Sequence, residues 1–96
     1  MKNLVTANKE LNKWCGTQGI NYYEGIEALG FLFKYAVPKL IEQGYSLRHE
    51  TALAEEPWYW WIIEKGNNLW KADNPDPALA LSRAIYKVIK GSDIEL

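Results

Sequence analysis

Ninety-six residues, 48 % hydrophobic and 24 % charged, match a single globular domain, with an expected radius of gyration of about 12–13 Å, and exclude a disordered or collagen-like chain. The longest uncharged apolar stretch, Ala28–Phe33, falls far below the roughly 18 residues of a membrane-spanning helix, so a membrane is not an expected partner. Eleven basic against twelve acidic side chains leave a charge of −1 without a like-charge block, which removes the usual electrostatic drive toward nucleic acid.

The one cysteine, Cys15, can make neither an internal disulfide nor a cysteine-rich zinc site, and a domain this small in an oxidising compartment is usually stapled, so a reducing cytoplasm is expected. Met1-Lys2-Asn3-Leu4-Val5 carries no apolar run of signal-peptide length, and Asp93-Ile94-Glu95-Leu96 is not a retention signal.

Leu4, Ala7, Leu11, Trp14 and Cys15 recur at helical spacing with Asn8, Lys9, Asn12 and Lys13 between them, and Gly16 stands as a stop. After the Gly16–Gly19 loop, Ile26, Leu29, Phe33, Val37, Leu40 and Ile41 predict a second helix up to Gly44. Pro38 removes a backbone donor, crowds the Lys34 carbonyl and disfavours helical angles at Val37. One bent helix is expected, because the apolar phase runs through the proline.

The period then changes to two. Tyr45, Leu47 and His49 alternate with Ser46, Arg48 and Glu50, a strand with one wet face. Beyond the Ala52–Pro57 connection, Trp58–Ile63 is β-prone throughout and apolar on both faces, the pattern of a central strand covered on both sides. Asn67-Asn68, after Gly66, is read as the tight turn into Leu69–Ala72, the third strand. Asp76 as N-cap and Pro77 at the first helical position open a last helix that ends at Gly91. Ala78, Leu81, Ala84, Ile85, Val88 and Ile89 form its buried stripe, and Arg83, Lys87 and Lys90 its wet face.

A helix running into Gln43-Gly44-Tyr45, a Trp-rich meander and the stretch Ala72–Ala84, with its Ala-Leu-Ala-Leu-Ser-Arg-Ala run, together resemble the phage α-β-α sandwich domain, a group of small phage and prophage proteins. The resemblance covers about Leu11–Ile89. It implies an α+β fold, a small α-β-α sandwich in which helices precede and follow a three-stranded antiparallel meander, in the order α-α-β-β-β-α, together with a phage-related origin. It brings across no catalytic, cofactor or binding residue.

Catalytic motifs are weak. His49 and Glu50 are strand neighbours and point to opposite faces. Cys15 sits in the apolar phase of its helix as a small hydrophobe, and one His with one Cys supplies half of a tetrahedral metal site. Gly16-Thr17-Gln18-Gly19 has the GxxG form that clamps single strands in KH modules, but neither middle residue is basic, and a helix stop with a turn accounts for both glycines. No phosphate-binding fingerprint occurs. Neither enzyme activity, nor a cofactor, nor a metal is expected.

The Trp-rich strand carries the functional expectation. A two- or four-residue hairpin makes paired positions of the second and third strands sum to an odd number. Trp58, Trp60 and Ile62 then share a face with Glu64 and Lys71, while Tyr59, Trp61 and Ile63 share the other with Trp70 and Ala72. Two helices on one side and one on the other would bury both rows. All helices on the Trp61/Trp70 side would leave Trp58 and Trp60 on an open surface edged by charge, the form of an interaction patch. The expected function is that of a small intracellular protein that binds another protein, or its own copy, through Trp58, Trp60, Ile62 and Lys71. The alternative is a single-stranded nucleic-acid or small-ligand binder using Trp58, Trp60 and the Gly16–Gly19 loop.

Overall fold

The computed structural model describes residues 2–52 and 55–91, with side chains from Leu4 onward. The elements run α1 (Lys2–Cys15), α2 (Ala28–Phe31), a π-helical turn (Leu32–Ala36), α3 (Val37–Glu42), β1 (Ser46–Ala52), β2 (Trp58–Lys65), β3 (Asn68–Asn74) and α4 (Pro77–Lys90). The fold is α+β in the expected order, a three-stranded antiparallel meander with helices before and after it, and its radius of gyration is 12.5 Å. Asp93–Leu96 and the middle of the Ala52–Pro57 connection lie outside the described residues, as does Met1.

The chain stays helical without a break from Ala28 to Glu42. Pro38 is accommodated by the turn ahead of it, which takes in one extra residue, so that the Val37 N–H donates to the Leu32 carbonyl five residues back. Val37 itself, expected to leave helical angles, stays at φ −62°, ψ −44°. Val37 and Leu40 of the expected stripe are buried, but elsewhere the buried side of this helix differs from it. Ala28, Leu32, Ala36, Val37 and Leu40 face the core, whereas Ile26 is 98 % exposed and Ile41 and Phe33 are largely exposed. Counting large side chains picked the neighbouring face, because alanine, and not bulk, is what lets this helix approach α4.

Helix ends follow sequence closely. At both α1 and α3 the last turn closes in a Schellman motif: Thr17 N–H donates to the Asn12 carbonyl and Tyr45 N–H to that of Leu40, with Gly16 and Gly44 supplying positive φ. Asp76 caps α4, its Oδ1 accepting from the N–H groups of Ala78 at 2.9 Å and Leu79 at 3.4 Å, and Gly91 ends the helix in the left-handed region.

α4 is buried nearly all round. Ala78, Leu81, Ala84, Ile85 and Val88 are inside as expected and Ile89 is half-buried, but Ala80, Ser82, Tyr86 and Lys87 are inside as well. One side lies on β2 and β3, while the other receives α1 and the α2–α3 helix. Lys87, expected on a wet face, reaches past the sheet edge, where its Nζ donates to the Lys71 carbonyl at 2.8 Å. The sheet order is β1-β2-β3, with β2 central as expected, and Lys65 pairs with Asn68 across a two-residue turn at Gly66-Asn67. From the sheet, the core takes in Trp61, Ile63 and Ala72, with Leu47 and Trp70 packed against it.

The two kinds of glycine are separable by experiment. Gly44→Ala, which puts a Cβ at φ +89° and 3.7 Å from Lys65 Cε, should cost about 1 kcal/mol. Gly30→Ala, in the helix with nothing within 4 Å of its Cβ, should gain about 0.5–1 kcal/mol. Urea midpoints at constant m report both signs.

Candidate functional site

Among the described residues every helix lies on one side of the sheet. α4 packs on β2 and β3 there, Trp61 Nε1 donates to the Pro77 carbonyl at 3.0 Å, and Phe33 meets the Trp61 ring edge-on with centroids 5.7 Å apart. α1 stacks outside α4 and does not cross to the other face. Of the two arrangements open to the sequence, this is the one that leaves the Trp58/Trp60 face uncovered by helix, so β2 is covered on one side and not two.

The register arranges that face in rows. Arg48, Ile62 and Lys71 form one row across the three strands, and Glu50, Trp60 and Asp73 form the next. Ser46, Glu64 and Leu69 lie beyond the first, and Ala52 and Trp58 beyond the second. Trp58 is 37 % exposed and Leu69 49 %, Trp60 is half-buried, and Ile62, ringed by its row neighbours, is 6 % exposed. The four expected site residues, Trp58, Trp60, Ile62 and Lys71, therefore share one surface.

Two contacts hold it in shape. Trp58 Nε1 donates to Asp73 Oδ2 at 2.7 Å, which fixes that ring diagonally across the strand pair, and Arg48 meets Glu64 at 3.1 Å. The Trp58 and Trp60 centroids are 6.4 Å apart with the rings tilted by 48°. Beside Trp60 an open concavity of about 420 Å³ is lined by Glu50, Ala52, Ile62 and Lys71. Its breadth suits a side chain from another macromolecule better than an enclosed small ligand.

The Gly16–Gly19 loop does not join this surface. Asn8 and Asn12, one helical turn apart on α1, clamp the following segment. Both Nδ2 groups donate to the Ile20 carbonyl at 2.8 Å, while Asn12 Oδ1 accepts from Ile20 N–H and Thr17 Oγ1, and Asn8 Oδ1 accepts from Tyr22 N–H. The loop is thus pinned against α1 on the helical side of the sheet, away from Trp58 and Trp60. Sequence reading gave Asn8 and Asn12 no role beyond lying between the apolar positions of α1; Asn12 is buried. Two asparagines four apart, bordering an apolar stripe, were the signal for such a clamp.

The other reactive groups stay apart. Tyr22 is fully buried, with its hydroxyl 2.7 Å from Thr17 Oγ1, and burial pushes its phenol up to about 12. Burial likewise raises the Cys15 thiol, against the opposing effects of Tyr22 and Lys39, which is the reverse of what a thiolate nucleophile requires. His49 stacks on Trp61 at 4.3 Å and on Tyr59 at 5.8 Å, on the sheet face opposite Glu50. Among the described residues no three His, Cys, Asp or Glu side chains converge, and no helix is long and apolar enough to cross a membrane.

Comparison of the chain with protein-family models, with curated proteins and with solved structures finds no match.

Asn12→Ala removes the centre of the clamp and should cost about 2–3 kcal/mol in urea unfolding, without altering the Trp58/Trp60 face. The Tyr22 phenol ionises less readily folded than unfolded, so the stability it contributes is complete below pH 10 and is lost as pH rises from 10 toward about 12. Denaturant midpoints across that window should fall for the wild type and fall less for Tyr22→Phe.

Proposed function

We propose that this chain is a small non-catalytic protein of phage or prophage type that works by binding another protein through the open sheet face bearing Trp58, Trp60, Ile62 and Lys71. The observation that carries the binding part is the one-sided stacking of the helices, which leaves two tryptophans and Leu69 facing outward within a frame of charge. Tryptophan is the residue type most enriched at interface centres, and a half-buried ring ringed by polar side chains has the anatomy of a hot spot with its rim. The phage-type origin rests on the residues of the Ala72–Ala84 stretch and the element order.

Charge favours protein over nucleic acid as the partner. The face carries Arg48 and Lys71 against Glu50, Glu64 and Asp73, so its net charge is negative, and a stacking platform for bases works with a basic groove. With the chain immobilised as bait, Trp60→Ala should weaken the complexes the wild type forms by about 2 kcal/mol, roughly 30-fold, while the melting temperature stays within a few degrees. Equal capture by both proteins removes Trp60 from the interface.

A further inference from the structure

The charges on the open face are not scattered. One row is cationic at both edges, Arg48 on β1 and Lys71 on β3, with Ile62 between them. The next row is anionic at both edges, Glu50 on β1 and Asp73 on β3, with Trp60 between them. All four charged side chains are exposed. Arg48 bonds Glu64 and Asp73 bonds Trp58, which leaves each a second polar atom for a partner, while Glu50 and Lys71 make no ion pair among the described residues.

Such a pattern is complementary to itself. A two-fold axis lying in the plane of the face and running across the strands, midway between the two rows, carries each row onto the other. Arg48 then meets Glu50 of a second copy, Lys71 meets Asp73, and Trp60 lies on Ile62, each contact occurring twice. The same axis sets Leu69 and Glu64 over the row of Trp58. It also stacks the two sheets with their strands aligned and opposite in sense, the ordinary packing of a β-sandwich about 10 Å thick.

We propose that the occupant of the open face is a second copy of this chain, docked sheet to sheet about this axis as an isologous dimer. The inference rests on the reading of that face as a protein-binding surface and narrows it to one partner and one register. Strands of seven, eight and seven residues offer a footprint of about 14 by 24 Å. That is about 700 Å² for the two copies together before side-chain relief is counted, smaller than a standard specific interface, so a weak, reversible dimer in the upper micromolar range is expected.

Charge reversal tests both partner and register. In sedimentation velocity the wild type should show a monomer–dimer equilibrium that tightens at low salt. Lys71→Glu alone faces Asp73 with a like charge twice per dimer, and Asp73→Lys alone faces Lys71 in the same way, so each should dimerise at least tenfold more weakly. Mixed together, the two variants place Glu against Lys at one site and keep Asp73 against Lys71 at the other, and native mass spectrometry should find the mixed dimer in preference to either parent dimer. Arg48→Glu with Glu50→Lys repeats the test without touching the Trp58–Asp73 bond.

A wild type that stays monomeric at 0.5 mM overturns the second copy as occupant; the wider reading then stands or falls on the Trp60→Ala capture. A dimer that neither reversal weakens, or that neither mixture restores, overturns the register.

Discussion

The placement of α4 constrains everything else in this fold. It is the one helix that touches the sheet along β2 and β3 while also receiving α1 and the α2–α3 helix on its back. A helix so placed must be apolar nearly all round and narrow where its neighbours cross it, which explains Ala78, Ala80 and Ala84 along its length and the small residues Ala7, Ala28, Ala36 and Ala72 on the elements that meet it. Its start is fixed by Asp76 and Pro77 and its end by Gly91, so its length and entry angle are set locally before any tertiary contact forms. Two polar residues forced into that middle position are satisfied, Ser82 donating to the Leu79 carbonyl and Lys87 to that of Lys71, whereas the buried Nε of Arg83 has no partner among the described residues.

Because α4 gathers the helices on its own side, none is left for the other face of the sheet. That face has to be solvated by its own side chains, and the sequence does this by flanking β2 with charge on both neighbours. Arg48 and Lys71 screen Ile62 so well that only 6 % of it is exposed, although no helix covers it. Trp60 gets less cover from the shorter Glu50 and Asp73, and Trp58, at the end of the strand, less again. The gradient of exposure along β2 thus follows from the lengths of the flanking side chains.

The sequence made the element order, the helix ends and the two-sided sorting of the strands legible, because those depend on short-range rules. An Asp-Pro start, a glycine stop and a two-residue turn each act within a few residues, and the period of two sorts faces once the hairpin parity is known. Three things were hidden. The proline at position 38 was visible, but its effect was not, since whether a helix breaks or widens depends on what holds it on either side; here Ala36 and Val37 both reach the core because the π turn allows it. The buried side of that helix was read correctly at Val37 and Leu40 and misread ahead of them, because alanine carries little weight in an apolar count. The choice between open and buried tryptophan rows depends on which side α1 takes, and that is decided by its contact with α4, far away in sequence.

The two edge strands face a further demand. β1 and β3 both present unpaired backbone groups to solvent, and an uncharged edge beside a Trp-rich strand invites indefinite strand addition. Arg48, Glu50, Lys71 and Asp73 sit on those edges, so the charges that screen the face also guard it. Protection alone would be served by any mixture of signs, and like charges directly across a strand would be the poorer choice for the isolated chain. The chain places both cations in one row and both anions in the next, which sets Arg48 two residues from Glu50 and Lys71 two residues from Asp73 along the edge strands, and which a reversed copy would match. The proposed two-fold docking of a second copy draws on that same ordering.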